Sequence, residues 1–126
     1  MKLRWTALHV TKQLNNLAQT AFKQNDKAAA SHAEKALALR PQDANILDTL
    51  GWILVRQGQL DRGLALLRDA RLRAPDSLEI RYHLAYALHQ SGRNTEARDE
   101  IAYALKGGSN FEGVDDARRL QKEIGK

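Results

Sequence analysis

A chain of 126 residues, 43% apolar and 28% charged, has the make-up of one compact soluble domain, which excludes global disorder and a pair of ordinary domains. Cysteine is absent, so disulfides, thiolate metal sites and a cysteine nucleophile are excluded too. The net charge is +5, and its excess lies in residues 1–43, where seven Lys/Arg face three acids; such an end reads first as a solvated surface.

From Trp5 to Gln24 the apolar positions Trp5, Leu8, Leu14, Leu17, Ala18, Ala21 and Phe22 recur mainly at three- and four-residue steps, which predicts a helix with one buried stripe. Asn25-Asp26 interrupts it, and Asp26 is expected to cap a second helix from about Lys27 to Leu39. That helix buries Ala29, Ala33, Ala36 and Leu37 and cannot continue through Pro41. Asp43 is placed to cap a third helix through about Gln57, buried through Ile46, Leu47, Leu50, Gly51 and Leu54 and ended by Gly58. The fourth, about Asp61 to Arg73, packs Leu64, Leu67 and Ala70 and stops before Pro75. Asp76 and Glu79 have capping-box spacing and open a fifth helix to about Gln90 through Ile80, Leu84, Ala85 and Leu88. Gly92 closes it, Asn94 is expected to cap the sixth, and Ala97, Ile101 and Ala104 form its inner stripe up to Gly107-Gly108. Ser109 and Glu112 repeat the capping-box spacing before a seventh helix, with Phe111, Val114, Ala117, Leu120 and Ile124 on one face. Its other face carries Asp115, Arg118, Arg119, Lys122 and Glu123, as expected of a helix that covers the apolar end of what precedes it.

No stretch of Met1–Val10 has the apolar run of a signal peptide, and no later segment could span a bilayer, so no membrane insertion is expected. As it stands the chain reads as cytoplasmic; excised from a longer exported protein, it would belong to the periplasm or cell envelope.

Matching positions expose a fixed period. Leu50 and Leu84, Gly51 and Ala85, Leu54 and Leu88, Gly58 and Gly92, Gly63 and Ala97, Leu67 and Ile101, and Ala70 and Ala104 are all separated by one and the same interval. Pro75 to Pro41, Ala70 to Ala36 and Gly63 to Ala29 give that interval backwards. A period of this size, roughly 34 residues, means stacked helical hairpins. The small residues Gly51, Ala85, Gly63 and Ala97 then mark where the two helices of a hairpin approach most closely.

The pattern Leu50-Gly51, Leu54, Gly58, Gly63, Leu67, Ala70, Pro75, with its next copy Leu84-Ala85, Leu88, Gly92, Ala97, Ile101, Ala104, resembles the tetratricopeptide repeat. The resemblance implies an all-α, right-handed solenoid of three hairpins and a C-terminal capping helix: a degenerate repeat over 5–42, repeats over 44–77 and 78–110, and the cap over 111–124. The first copy departs from the pattern, because the step from Leu17 to Leu50 is one residue short of the step from Leu50 to Leu84, which places a deletion near the Gln24–Lys27 turn. The third has Ser109 in place of the terminal proline. More narrowly, LDTLGWILVRQG followed by IRYHLAYALHQSG resembles the C-terminal arrays of bacterial exported tetratricopeptide proteins of envelope and exopolysaccharide systems.

The family resemblance implies that the first helix of each hairpin lines a concave groove for extended peptides or partner helices. Carried over by register, that face holds Asn15, Gln19, Phe22 and Lys23 in the first copy, Asn45, Asp48, Trp52, Val55 and Arg56 in the second, and Glu79, Tyr82, Tyr86 and His89 in the third. Tyr82, Tyr86 and His89 form one stripe of a helix and, with Trp52, an aromatic-polar patch suited to peptide contact; the competing reading has the aromatics wedge between hairpins and only fix the curvature. Some family members clamp acidic chaperone tails with lysines, arginines and asparagines. The matching places here are Asn15, Gln19, Thr49, Glu79 and His83, which cannot form that carboxylate clamp.

The expected function is a non-catalytic scaffold for a protein or peptide partner, with homodimerisation as the alternative. His83 and His89 are six residues apart, on different helix faces, so no histidine metal site is expected, and no catalytic set or cofactor motif is evident. RNA binding is a further alternative, but Arg62, Arg68, Arg71 and Arg73 are interleaved with Asp61, Asp69 and Asp76, as on a solvated convex face; nucleic acid is not the expected partner.

Overall fold

The computed structural model describes residues 2–108 and 110–125, with side chains from Leu8 onward. Among these residues there are seven helices and no strand: α1 (Lys2–Lys23), α2 (Ala29–Leu39), α3 (Ala44–Arg56), α4 (Leu60–Arg73), α5 (Leu78–Gln90), α6 (Asn94–Lys106) and α7 (Val114–Ile124). Helices pair as α1/α2, α3/α4 and α5/α6, successive hairpins stack, and α7 closes the end against α5 and α6. None is long and apolar enough to cross a membrane.

The spacing of the hairpins follows from their smallest residues. A Cβ added to Gly51 would lie 2.9 Å from Leu67 Cγ and 3.1 Å from the Gly63 carbonyl oxygen. One added to Gly63 would lie 2.5 Å from Val55 Cγ2 and 2.9 Å from the Gly51 oxygen. The backbones of α3 and α4 therefore touch, as the period implies. In the third hairpin Ala85 and Ala97 hold the matching positions and are fully buried. The large apolar side chains continue this packing between hairpins: Leu50, Ile53 and Leu54 with Ala18, Ala21, Ala29 and Ala33, then Leu64 and Leu67 with Leu84, Leu88 and Ile101.

At the hairpin turns Gly58 and Gly92 have φ of +89° and +78°, and in the first hairpin Asn25 adopts φ +57°. The step from Asn25 to Gly58 is as short as that from Leu17 to Leu50, so the deletion in the first copy lies after Asn25, where α2 lacks its first turn. Asparagine is among the few non-glycine residues that enter this region readily. Among the described residues no atom beyond its chain neighbours lies within 4 Å of a Cβ built on Gly58, so Gly58→Ala isolates backbone strain. It is expected to lower stability by roughly 1–2 kcal/mol in urea unfolding, with Asn25→Gly close to neutral.

Several helix starts differ from the sequence reading. Asp43 caps α3 as expected, its Oδ1 accepting from the Asn45 and Ile46 amides at 2.9 and 3.2 Å. At α5 the cap is Ser77 rather than Asp76: the Ser77 backbone is extended, and its hydroxyl accepts from the Ile80 amide at 3.3 Å. Asp26 accepts from the Ala28 amide two residues on, which holds a turn, and α2 begins only at Ala29. Asn94 is already helical and its side chain turns to His89 Nδ1 at 2.9 Å instead of capping α6. Helix α7 starts at Val114, after Gly113 at φ +93°; Ser109, the other half of the expected capping box, lies outside the described residues. In α1, Leu8 and Leu17 are about half exposed rather than buried, and the side chain of Trp5 lies outside those described.

The convex side is laced by ion pairs between second helices. Arg62 meets Glu34 in a two-pronged contact at 2.5 and 2.7 Å, and Arg68 meets Glu96 at 3.0 Å. Arg62, through its hydrogen bond first, holds the Glu34 carboxyl below the usual carboxylate range. Its contribution is present above the unfolded-state pKa and is lost as pH falls through the lowered folded value. A deeper junction lies between α4, α5 and α6, where buried Glu100 accepts a hydrogen bond from Arg81 Nη1 at 2.6 Å and stands 2.8 Å from Arg71 Nε as an ion pair without hydrogen-bond alignment. Arg81 also donates from Nε and Nη2 to the Pro75 carbonyl oxygen and lies over the Tyr103 ring at 4.0 Å.

Candidate functional site

Helices α1, α3 and α5 stand side by side along one face, and a cavity of about 300 Å³ opens between them. Gln19, Phe22 and Lys23 of α1, Asp48, Thr49, Trp52 and Ile53 of α3, and Glu79, Tyr82 and His83 of α5 line three sides. The fourth side comes from the far end of the array, through Glu112, Gly113 and Asp116 at the start of α7. Lys23 Nζ reaches Glu112 Oε1 at 3.6 Å, so the end of α1 and the approach to α7 meet across the mouth.

The floor is an aromatic stack. The Trp52 ring lies nearly parallel to the His83 imidazole, with centroids 4.1 Å apart, and Tyr86 meets Trp52 edge-on at 5.1 Å. Tyr82 is tilted against Trp52 at 5.6 Å and against Phe111 at 6.4 Å. The guanidinium of Arg56 sits 5.4 Å from both the Trp52 and Tyr86 ring centroids, a cation–π contact with each. Gly113 is needed where it stands, because a Cβ there would lie 3.0 Å from the Tyr82 ring in a positive-φ conformation.

Beside the stack lies a polar triad of Asp48, Glu79 and His83. Asp48 Oδ1 is 2.6 Å from His83 Nδ1, and Glu79 Oε1 is 4.0 Å from His83 Nε2 on the other side of the ring. The three side chains offer oxygen and nitrogen atoms within 4.8 Å of one another, the geometric minimum for holding a cation, and Asp48 fixes the imidazole orientation. Burial pushes the Glu79 carboxyl above its ordinary pKa, with His83 opposing, the Asp48 and Glu112 charges adding, and Lys23 opposing. Burial likewise pushes the Tyr82 hydroxyl up to about 12.

The residues expected on the groove face do not all meet. Gln19, Phe22, Lys23, Asp48, Trp52, Glu79 and Tyr82 line the central cavity. Asn15 and Asn45 line an adjoining recess of about 470 Å³ that shares Gln19, Asp48 and Glu79 with it. Arg56 reaches a separate recess with Phe22, beside the Asn25 turn. Tyr86 supports the stack from outside the cavity wall, and His89 bonds to Asn94 at the end of α5. Val55 does not belong to the groove at all, since it is buried against Gly63 inside the α3/α4 hairpin. Sequence reading does not place His83 on the groove face, nor Glu112, Gly113 and Asp116 from the approach to α7, which also line the cavity. The partners of His83 are Asp48, on the preceding hairpin, and Glu79, one helical turn before it; that four-residue spacing on α5 is the available signal.

Residues 49–111, half of the chain, match the sequence profile of the tetratricopeptide repeat. The chain is 48% identical over 50 residues to the TPR repeat-containing protein PA4667 of Pseudomonas aeruginosa, a match over 40% of this chain that spans only 8% of that relative. Among solved structures, the TPR2B domain of yeast Sti1 in its pHsp70 complex superposes with a TM-score of 0.81 at 13% identity, over 93% of this chain and 97% of that one. The Yersinia enterocolitica type III secretion chaperone SycD, in complex with a peptide of the translocator YopD, superposes with a TM-score of 0.74 at 18% identity, over 90% and 91%.

Proposed function

Since this chain belongs to the tetratricopeptide repeat family, we propose that it is a non-catalytic scaffold that holds a peptide or partner protein in its concave groove. The observation that carries the proposal is the cavity on the α1, α3 and α5 face, where aromatic rings and polar groups from three hairpins converge. The SycD complex supports it by analogy, as a chain of the same fold with a peptide bound. The acids at Asp48, Glu79 and Glu112 argue against a partner that offers an acidic tail.

The test is capture from the source cell followed by titration of the purified partner, with wild type beside a Gln19→Arg/Arg56→Glu variant. Both positions are exposed, so the fold should survive the change. Affinity is expected to fall by about tenfold or more, the worth of one or two lost polar contacts at an interface. Unchanged affinity would move the binding surface away from the groove.

Self-association is the second reading, favoured by one observation. Val10 and Leu17, seven residues apart on α1, are both exposed, with half-buried Leu14 between them, which leaves an apolar strip on the outer side of the first hairpin. Light scattering over a range of concentrations decides it, because a monomer mass at every concentration removes the dimer.

A further inference from the structure

We propose that the central cavity is a receptor for one cationic side chain, a lysine or arginine presented by the partner. The inference rests on the groove reading above and specifies its chemistry. The cavity walls combine four carboxylates, Asp48, Glu79, Glu112 and Asp116, with the rings of Phe22, Trp52 and Tyr82. A volume of about 300 Å³ is at the small end for ligand sites, large enough for a long side chain and too small for a helix.

Three of the four acids already have a near partner. Asp48 is held by His83 and Glu112 meets Lys23, while Asp116 pairs with Arg119 on α7. Among the described residues Glu79 pairs only with the edge of His83, at 4.0 Å, although it faces the central cavity, the recess beside Asn15 and Asn45, and another recess at the α5 start. It is therefore the carboxylate with capacity left for an incoming ammonium or guanidinium, in a half-buried position where a charge-assisted hydrogen bond is stronger than in water. The aromatic walls complete such a site, because a cation is attracted to the faces of the same rings that bury its aliphatic stem.

The rest of the molecule adds contrast. The chain carries +5 overall, so a cavity lined by four carboxylates and one lysine opposes the general charge and does not follow from composition. Burial also makes ionised Glu79 a cost to the free fold. Its folded pKa is raised, so stability is gained as pH falls toward that value and is given up at neutral pH. A carboxylate placed at such a position fits a functional role better than a structural one.

The test uses NMR titration of the chain, followed at the Trp52 indole and the α3 and α5 amides, with blocked nine-residue Gly/Ser/Ala peptides. Their central residue is Arg, Lys, Gln or Glu. The cationic peptides are expected to bind about tenfold more tightly than the Gln peptide, the size of one charge-assisted contact, and the Glu peptide more weakly still. Glu79→Gln should erase the preference while melting at the same or a higher temperature at pH 7, which separates lost recognition from lost fold. The inference fails if Arg, Lys and Gln peptides bind alike, or if Glu79→Gln keeps the preference; equal binding of all three would leave the peptide groove standing without its cation site. It also fails if the cationic peptides leave the groove unmoved while zinc chloride alone shifts the Asp48, Glu79 and His83 signals, since the triad would then be a metal site.

Discussion

Replacing Glu100 by alanine is expected to lower stability by about 3 kcal/mol, a fall of roughly 10 °C in melting temperature for a domain of this size. Glu100 is the acid on which α4, α5 and α6 converge, through Arg71, Arg81 and its own helix. Arg81 is nearly as buried as Glu100, so without the carboxylate its guanidinium keeps only the Pro75 carbonyl oxygen and the Tyr103 ring. The low end of the range for a broken buried pair applies because Arg71 is more than a third exposed and can hydrate. The double change Arg81→Met/Glu100→Leu should cost less than Glu100→Ala alone, since it removes both charges together. If thermal melting shows the single variant losing under about 0.5 kcal/mol, Arg81 finds water and the junction is not a dry one.

Gly63→Val is expected to cost about as much, near 3 kcal/mol, at the upper end of the usual range for overpacking. The new side chain would begin 2.9 Å from the Gly51 oxygen and the Val55 nitrogen, which are backbone atoms and can yield only if α3 and α4 separate. At Gly51 the tightest neighbour is a side-chain atom, Leu67 Cγ at 2.9 Å, and the nearest backbone atom is farther off at 3.1 Å. An order follows. Gly51→Ala should be milder than Gly63→Ala, with both partly offset by the roughly 1 kcal/mol by which alanine favours helix over glycine. Urea midpoints of the two alanine variants in the reverse order would contradict this account of the hairpin contact.

The fold was legible because a repeat states its own geometry many times. Leu50, Leu84 and their companions report the period, and the period places Gly51 against Gly63 before any coordinate is known. Helix starts were less legible, because aspartate, serine and asparagine compete for the same cap. Asp76 and Ser77 are adjacent, and only the backbone angle at Ser77 selects between them. The groove residues were placed by register, yet their chemistry depends on contacts across hairpins. His83 owes its environment to Asp48, on the preceding hairpin, and to the indole of Trp52 beneath it. The meeting of Lys23 with Glu112 depends on the curvature of the whole array, for which no local stretch of sequence carries a signal.

The convex ion pairs carry one more consequence. Glu34 and Arg68 occupy the same position in successive hairpins, one full period apart, and so do Arg62 and Glu96; the charges at each position are reversed between copies. The first junction reads acid to base and the second base to acid. Duplicating the middle hairpin would therefore set Arg68 against a second Arg62, and deleting it would set Glu34 against Glu96. Each exposed contact is worth only about 0.2–1 kcal/mol and is weakened by salt. Their alternation nevertheless works as an address written on the outside of the stack, by which the middle hairpin accepts its two neighbours and rejects a copy of itself.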